Sequence, residues 1–297
     1  MNQPNNIPLV SVVIASYNMG HYVCQAVDSV LAQDYSNVEV IVVNDGSVDD
    51  TREHLKKYDA NERVKIIHQP NGGQTVAKNR GLQEATGEFI GFCDADNYWL
   101  PGKLSRQLDV FAERPDIGVV YGDLSLIDEN GNLLPTNPVC RYSGKITGRL
   151  LCDNFVTFNT TLIPRTVLKK VGGFDEQLRM GIDYELWLRI SVQYEFFYLQ
   201  EPLVAYRIWG GQMSNRVGER FENFFRLMNN FLERYPDSVS PAEVKRGWAH
   251  TYVSRGRWKV AEKQYSEALK DYFKAFSYYP LDLRLWKSVV KLCLGRE

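Results

Sequence analysis

The chain has 297 residues, with 35 lysine and arginine against 36 aspartate and glutamate, a formal net charge of −1. Hydrophobic residues make up 44% and charged residues 24%, enough to bury a full core as one large domain or two modest ones. Near-neutrality excludes a coat for nucleic acid, which needs a basic excess, and no apolar run approaches the roughly 18 residues of a membrane-spanning helix. The five cysteines are scattered and form no Cys-x-x-Cys pair, and the four histidines are unclustered. This speaks against a disulfide framework or a zinc site and fits a reducing compartment. Residues 1–6 lack the basic and apolar regions of a secretory signal, so a cytoplasmic protein is expected.

The first hundred residues alternate strand and helix patterns. Residues 9–14 are apolar and β-branched, as a buried parallel strand requires. Tyr22, Val23, Ala26, Val27, Val30 and Leu31 then fall at helical spacing. A strand over 38–43 ends in Asn44-Asp45-Gly46-Ser47, a helix near 50–58 follows, and 64–67 form a third strand. A helix over 75–85 stops before Gly87, and a strand over 89–93 runs into Asp94. Pro101 opens another helix. This order predicts a parallel sheet with helices on both faces and a ligand at the carboxyl ends of the strands.

After residue 117 the spacing predicts strands over 119–121 and 124–127, a turn at 128–132 and a loop over 135–148. Helices are expected over 164–170 and 182–193, short strands near 196–199 and 203–207, and a mobile loop over 208–218. The remainder reads as helical, with a boundary near 236–241 marked by Pro236 and Pro241.

Polar clusters follow three of the strands: Ala15-Ser16-Tyr17-Asn18, Asn44-Asp45-Gly46-Ser47 and Asp94-Ala95-Asp96. Each alone reads as a solvated turn, but three on one sheet edge point to a ligand site. With 18 aspartates, composition alone supplies about one Asp-x-Asp, so the tripeptide gains weight only from its place after an apolar strand. In an extended segment residues i and i+2 face one side, and two carboxylates there suit Mg²⁺ or Mn²⁺ bridging to phosphate.

Residues 8–18 and 43–51, with Asn71-Gly72-Gly73, 77–81, 87–90, Asp94-Ala95-Asp96, 172–176, 183–189 and Tyr206-Arg207, resemble in order a family 2 glycosyltransferase of the GT-A fold. The resemblance implies a Rossmann-like, mainly parallel mixed sheet flanked by helices and followed by an all-helical extension. It implies a glycosyltransferase domain over 1–238, divided near 115 into nucleotide and acceptor halves, and a helical segment over 239–297.

By that resemblance, Ser16, Tyr17, Asn18, Asp45 and Gly73 belong to the donor site, with Tyr17 and Asp45 on the nucleotide base. Arg80, with Lys78, steadies the base or the phosphates, although Lys78 also reads as an exposed helix charge. Asp94 lies near the ribose or the metal's water shell, beside Ala95, and Asp96 binds Mn²⁺ or Mg²⁺ directly. Asp183, in the first turn of its helix, is the candidate base of an inverting transfer, and Glu185 is the fallback. The family's usual acidic neighbour before that aspartate is Ile182 here, and its frequent histidine two residues after Arg207 is Trp209. Phosphate contact then falls to Arg207, Gln212 or Ser214, with Trp209 covering the site and Gly210-Gly211 as hinge. The implied reaction moves one sugar from a nucleotide-diphosphate donor, UDP-linked in preference to dTDP- or GDP-linked, to a glycan or polyprenol-linked acceptor in surface-polysaccharide assembly. A sugar-nucleotide nucleotidyltransferase and a non-catalytic scaffold are the alternatives. The first wants a glycine-rich phosphate loop after the first strand that residues 15–20 do not supply.

Two further patterns are decoys. Arg257-Trp258 resembles a processive-synthase motif, but its leading position is Ser254, not glutamine. Tyr17, Tyr22, Trp99, Trp187 and Trp209 could form a sugar platform, although scattered aromatics more often fill cores. In the C-terminal segment Gly256, Ala268, Tyr272, Ala275 and Pro280 fall at spacings like one tetratricopeptide unit. Residues 281–292 are amphipathic and basic, suited to packing on the neighbouring helices or to peripheral contact with the inner face of a membrane. Residues 240–297 hold 12 basic and 6 acidic side chains, and 1–239 hold 23 and 30, so neutrality conceals an acidic part and a basic tail.

Overall fold

The computed structural model describes residues 7–212 and 216–294. The chain forms two compact units, Met1–Lys145 with Val156–Asn215, and Ile146–Phe155 with Arg216–Glu297.

The first unit is built on one eight-stranded sheet. Its first half runs β1 (Val10–Ser16), α1 (Gly20–Leu31), β2 (Val38–Asp45), α2 (Thr51–Leu55), β3 (Val64–Gln69), α3 (Gln74–Glu84), β4 (Phe89–Phe92), β5 (Tyr98–Trp99) and α4 (Lys103–Glu113). The sheet then continues through β6 (Ile117–Ile127), β7 (Leu162–Pro164) and β8 (Glu195–Arg207), with α6 (Arg165–Val171) and α7 (Ile182–Ser191) between the last two strands. The strand order is β3-β2-β1-β4-β7-β6-β8-β5. Strands β3, β2, β1 and β4 pair in parallel; β7 is antiparallel to β4 and β6, and β5 to β8. Val10, Val12, Val13 and Ile14 of the central strand are all buried, as expected for a strand covered on both faces.

Local departures from expectation have simple causes. The two short strands expected near 196–207 are one strand, and 117–127 is likewise continuous; the two pair in parallel with bulges between Gly122 and Leu124. The sheet crosses residue 115 without a break, so the expected nucleotide and acceptor halves share one core. Trp99 and Trp187 belong to that core rather than to a sugar platform, with Trp187 6.2 Å from the Phe158 ring.

Lys103 is wholly buried, its Nζ 3.9 Å from the centre of the Trp99 ring and donating to Gln107 Oε1 (2.6 Å) and the Thr161 carbonyl (3.3 Å). Burial pushes its pKa down to about 7. An unfolded lysine titrates near about 10.4, so between about pH 7 and 10 the unfolded chain binds the extra proton and stability rises with pH, by up to about 1.4 kcal/mol per unit. Below pH 7 both states bind it and the slope vanishes. Urea midpoints should therefore rise from pH 7 to about 8.5, below which the buried Cys93 thiol adds nothing, and lose that rise in Lys103→Met; an equal rise in both would clear Lys103 of the effect.

The second unit is helical: α5 (Thr147–Leu150), α8 (Val217–Arg234), α9 (Pro241–Ala261), α10 (Tyr265–Tyr278) and α11 (Leu283–Cys293). Ser240 and Glu243 close a capping box at the start of α9, with Pro241 in its first turn. The division expected at 238/239 falls inside this unit. Helix α8 packs with α9 because Phe221 and Phe225 set their rings 5.9 and 5.7 Å from Trp258 and Trp248. The tetratricopeptide-like spacing works as expected within the unit: Gly256 lets the Tyr272 ring approach so closely that a Cβ would collide with it, and Ala249 and Ala275 are buried beside them.

Candidate active site

The carboxyl ends of β1, β2 and β4 open onto one cleft of about 850 Å³ in the first unit. Ser16, Tyr17, Asp45, Gly73, Asp94, Ala95, Asp96 and Gln212 all line it. Three segments far apart in sequence meet there because the strands that carry them are neighbours in the sheet.

On the β1 side, Tyr17 is half exposed where it lines the cleft. The Ser16 hydroxyl is buried without a hydrogen-bond partner, an unmet donor on the cleft wall. Asp45 accepts from Gln69 Nε2 (2.7 Å) and from the Gly72 and Gly73 N–H groups (2.9 and 2.8 Å). A carboxylate has about four acceptor positions, so one remains for a ligand N–H. Gly46 adopts φ 72°, and a Cβ there would strike the Asn71 backbone, so the two loops beside Asp45 close on each other only with glycine. Asn18 stands off the cleft wall. Its N–H donates to Ser47 Oγ (2.9 Å) and its Oδ1 accepts from Val48 N–H (2.9 Å), tying the loop after β1 to the loop after β2.

The Asp94-Ala95-Asp96 segment is a turn beyond β4, closed by Asn97 N–H on the Asp94 carbonyl (3.0 Å), so strand alternation is not what brings its carboxylates to the cleft. Asp94 is held by Lys78 Nζ (3.0 Å) and Asn159 Nδ2 (2.8 Å). Lys78 is not an exposed helix charge. It is buried, 4.3 Å over the Phe158 ring, and acts on the cleft through Asp94. Asp96 accepts from the Trp209 indole N–H (2.9 Å). Burial, then the neighbouring Asp94 charge, pushes its carboxyl above the usual carboxylate range.

Among the described residues no group of three or more His, Cys, Asp or Glu could hold a metal by itself. The two carboxylates fit a divalent cation shared with a bound diphosphate, because such ions take one or two carboxylates and complete their shell with phosphate and water. A cation there would also relieve the repulsion that raises Asp96.

Other expected ligands are placed elsewhere. Arg80 lies on the exposed side of α3, paired with Glu84 (2.7 Å), because one helical turn separates them. Arg207 is buried and faces away from the cleft; strand alternation turns its neighbour Tyr206 toward the cleft instead. Its guanidinium donates to the carbonyls of Asp96 (2.9 Å), Asp128 (3.2 Å) and Glu129 (2.8 Å) and to Gln25 Oε1 (2.6 Å), above the Tyr22 ring. It braces the Asp96 turn rather than contacting phosphate. Gln212 does reach the cleft, donating to the Arg207 carbonyl (2.5 Å), and Ser214 lies outside the described residues. Gly211 packs on the Trp209 ring, where any Cβ would collide, so close approach rather than hinge freedom accounts for it.

Asp183 is half buried in the first turn of α7, after Gly181 in the left-handed conformation, and is not among the residues that line the cleft. Glu185 is spent on structure. Its two oxygens accept from Arg189 Nε (2.6 Å) and Nη2 (2.7 Å), and the same arginine holds the carbonyls of Val171 and Gly173. Asn71 and Glu176, which carry the family resemblance without an expected role, also line the cleft, as does Arg179, which no motif marks. Thr75 donates to the Leu178 carbonyl and Asn79 to Glu176, across about a hundred residues, and no local pattern signals such contacts.

The family profile for glycosyl transferase family 2 matches residues 11–172. An uncharacterized glycosyltransferase of Rickettsia typhi is 32% identical over 260 residues, which span 86% of this chain and 80% of that protein. The chain belongs to glycosyl transferase family 2. This family 2 glycosyltransferase is also 31% identical, over 77% of its length and 24% of the other chain, to the hyaluronan synthase of Pasteurella multocida. Two solved structures share its fold. Staphylococcus aureus TarS 1–349 in complex with UDP-GlcNAc gives a TM-score of 0.70 at 17% identity, over 97% of this chain and 92% of that one. The mannosyltransferase PcManGT of Pyrobaculum calidifontis with GDP-Man and Mn²⁺ gives 0.58 at 17%, over 99% and 89%. The mixed sheet flanked by helices is thus the GT-A-like fold expected, and the nucleotidyltransferase and scaffold alternatives fall away.

Proposed function

We propose that this enzyme is a divalent-metal-dependent, inverting, non-processive glycosyltransferase that moves one sugar from a nucleotide-diphosphate donor, UDP-linked by preference, to a hydroxyl of a glycan or lipid-linked acceptor in surface-polysaccharide synthesis. The observation that carries the reading is the convergence of Tyr17, Asp45, Asp94 and Asp96 on one cleft. The family, the UDP-GlcNAc complex of TarS and the hyaluronan synthase relative support it.

Tyr17 would stack on the base while the remaining acceptor position of Asp45 takes a ring N–H. Ser16 would donate to the nucleoside. Asp96, with Asp94, would hold Mn²⁺ or Mg²⁺. The ion, when bound, supplies charge compensation for the departing diphosphate. Lys78 and Asn159 keep Asp94 oriented, and Arg207 keeps the Asp96 backbone in place. Asp183 would take the acceptor hydroxyl's proton as that oxygen attacks the anomeric carbon from the face opposite the leaving group. Trp209 would shield the site from water.

The test is a thermal-shift screen of UDP-, dTDP- and GDP-sugars with and without Mn²⁺. A ligand at about a hundred times its Kd stabilises the fold by about 2.7 kcal/mol, several degrees in Tm for a unit of this size. UDP-sugars with Mn²⁺ should give the largest shift. A larger shift with GDP-sugars, or one indifferent to Mn²⁺, would overturn the donor or the metal assignment.

A further inference from the structure

The helical unit leaves an apolar face outward. On α10, Tyr265, Leu269, Phe273 and Phe276 recur at helical spacing and are 51%, 42%, 72% and 46% exposed. On α11 and its cap, Leu283, Trp286, Val290 and Leu294 do the same, at 74%, 48%, 53% and 61%. Their opposite faces are filled: Ala268, Tyr272 and Ala275 of α10 and Leu285 of α11 are buried. Phe276 and Trp286 meet edge to face at 6.0 Å and join the two stripes into one patch. Such contiguous exposure is rare on a surface without a partner.

The charges around the patch choose among partners. Lys287 and Lys291 are solvent-exposed beside the α11 stripe and Lys270 is exposed on α10, whereas Lys274 lies over the Tyr278 ring, away from the α10 stripe. The acidic residues are turned inward. Asp271 is buried against Arg255 (2.6 Å) and Lys259 (3.0 Å), and Asp282 is buried, capping α11 and bound to Arg284. Glu267 alone stays near the surface on α10, paired with Lys270 (2.6 Å). Protein interfaces are poor in lysine, whereas helices that lie in a bilayer surface combine Trp, Phe and Leu with lysines whose stems lie over lipid.

We infer that this face of α10 and α11 docks the enzyme on an anionic lipid surface. The aromatic and aliphatic stripes enter the headgroup boundary, and the lysines meet lipid phosphate. Among the described residues no helix is long and apolar enough to cross a membrane, so attachment through this unit is peripheral.

The experiment is co-sedimentation of the full chain with phosphatidylcholine vesicles, with and without about 30% phosphatidylglycerol, at low and high salt. The wild-type chain should pellet with anionic vesicles, weakly with neutral ones, and less as salt rises. Phe273→Ser with Trp286→Ser, and separately Lys287→Glu with Lys291→Glu, should each cut the bound fraction at least about fivefold while Tm stays within a few degrees of wild type. The charge variant leaves the apolar stripe intact, so its loss of binding cannot come from unfolding of the patch. No anionic preference in the wild type, or unchanged binding in both variants, overturns the inference. So does a wild-type dimer that becomes monomeric in the serine variant without vesicle binding, which would make the face a self-association surface. No donor is needed in this assay, so its outcome is separate from that of the donor screen.

Discussion

Asp96→Asn is expected to lower kcat/KM for sugar transfer at least about a thousandfold and to remove the Mn²⁺-dependent part of UDP binding. The substitution keeps the shape of the side chain and an acceptor oxygen for the Trp209 indole, so the turn braced by Arg207 should persist. What it removes is a charge that burial and Asp94 already make costly. Asparagine relieves that cost, so the variant should be at least as stable as the wild type while losing function. Titration calorimetry with UDP, in Mn²⁺ and in chelator, separates the two effects. Retention of the full Mn²⁺-dependent increment by the variant would end the assignment of Asp96 as a metal ligand.

Asp183→Asn should leave donor affinity within about threefold and lower kcat by about 10² to 10⁴, the range a general base contributes. The structure sharpens the comparison with nearby carboxylates. Glu185 is fully engaged by Arg189, so Glu185→Gln belongs with stability variants; it should lower Tm with modest change in kcat. Glu176 lines the cleft while Asp183 stands in the first turn of α7 outside that lining, and acceptor binding often tightens contacts that are loose in the free enzyme. Single-turnover rates for Asp183→Asn and Glu176→Gln divide the roles. Wild-type chemistry in the first with loss in the second would move the base to Glu176.

How much of the site was legible follows the kind of signal each residue carries. Tyr17, Asp45 and Asp96 were legible because they stand at or shortly beyond the ends of buried strands, and strand ends in such a sheet gather on one edge whatever the loops do. Arg207 was legible as a candidate site residue, and its hydrogen-bond partners were not. Alternation along β8 turns it from the cleft, and its partners are backbone carbonyls of two other segments and the Gln25 side chain of a third. Glu185 and Arg80 carry the charge a site would want, yet each is satisfied one helical turn away on its own helix. Trp209 stands where a histidine was expected, and only the folded loop shows that its indole reaches Asp96.

The domain boundary shows the same limit. Pro236 and Pro241 mark a helix break correctly, but a break in the chain is not a break in packing: the aromatic face of α8 chooses α9 as its partner. The sequence by itself determined the family, the β-α alternation and the strand ends that carry the carboxylates, because apolar periodicity and short-range turn chemistry act within a few residues. Tertiary structure alone decided that Lys78 and Asn159 hold Asp94, that Arg207 braces a turn, that Glu176 joins the cleft, and that α11 buries one face while its apolar stripe stays outward. Those outcomes depend on groups tens to nearly two hundred residues apart competing for the same hydrogen bonds and the same core, and no local pattern encodes who wins.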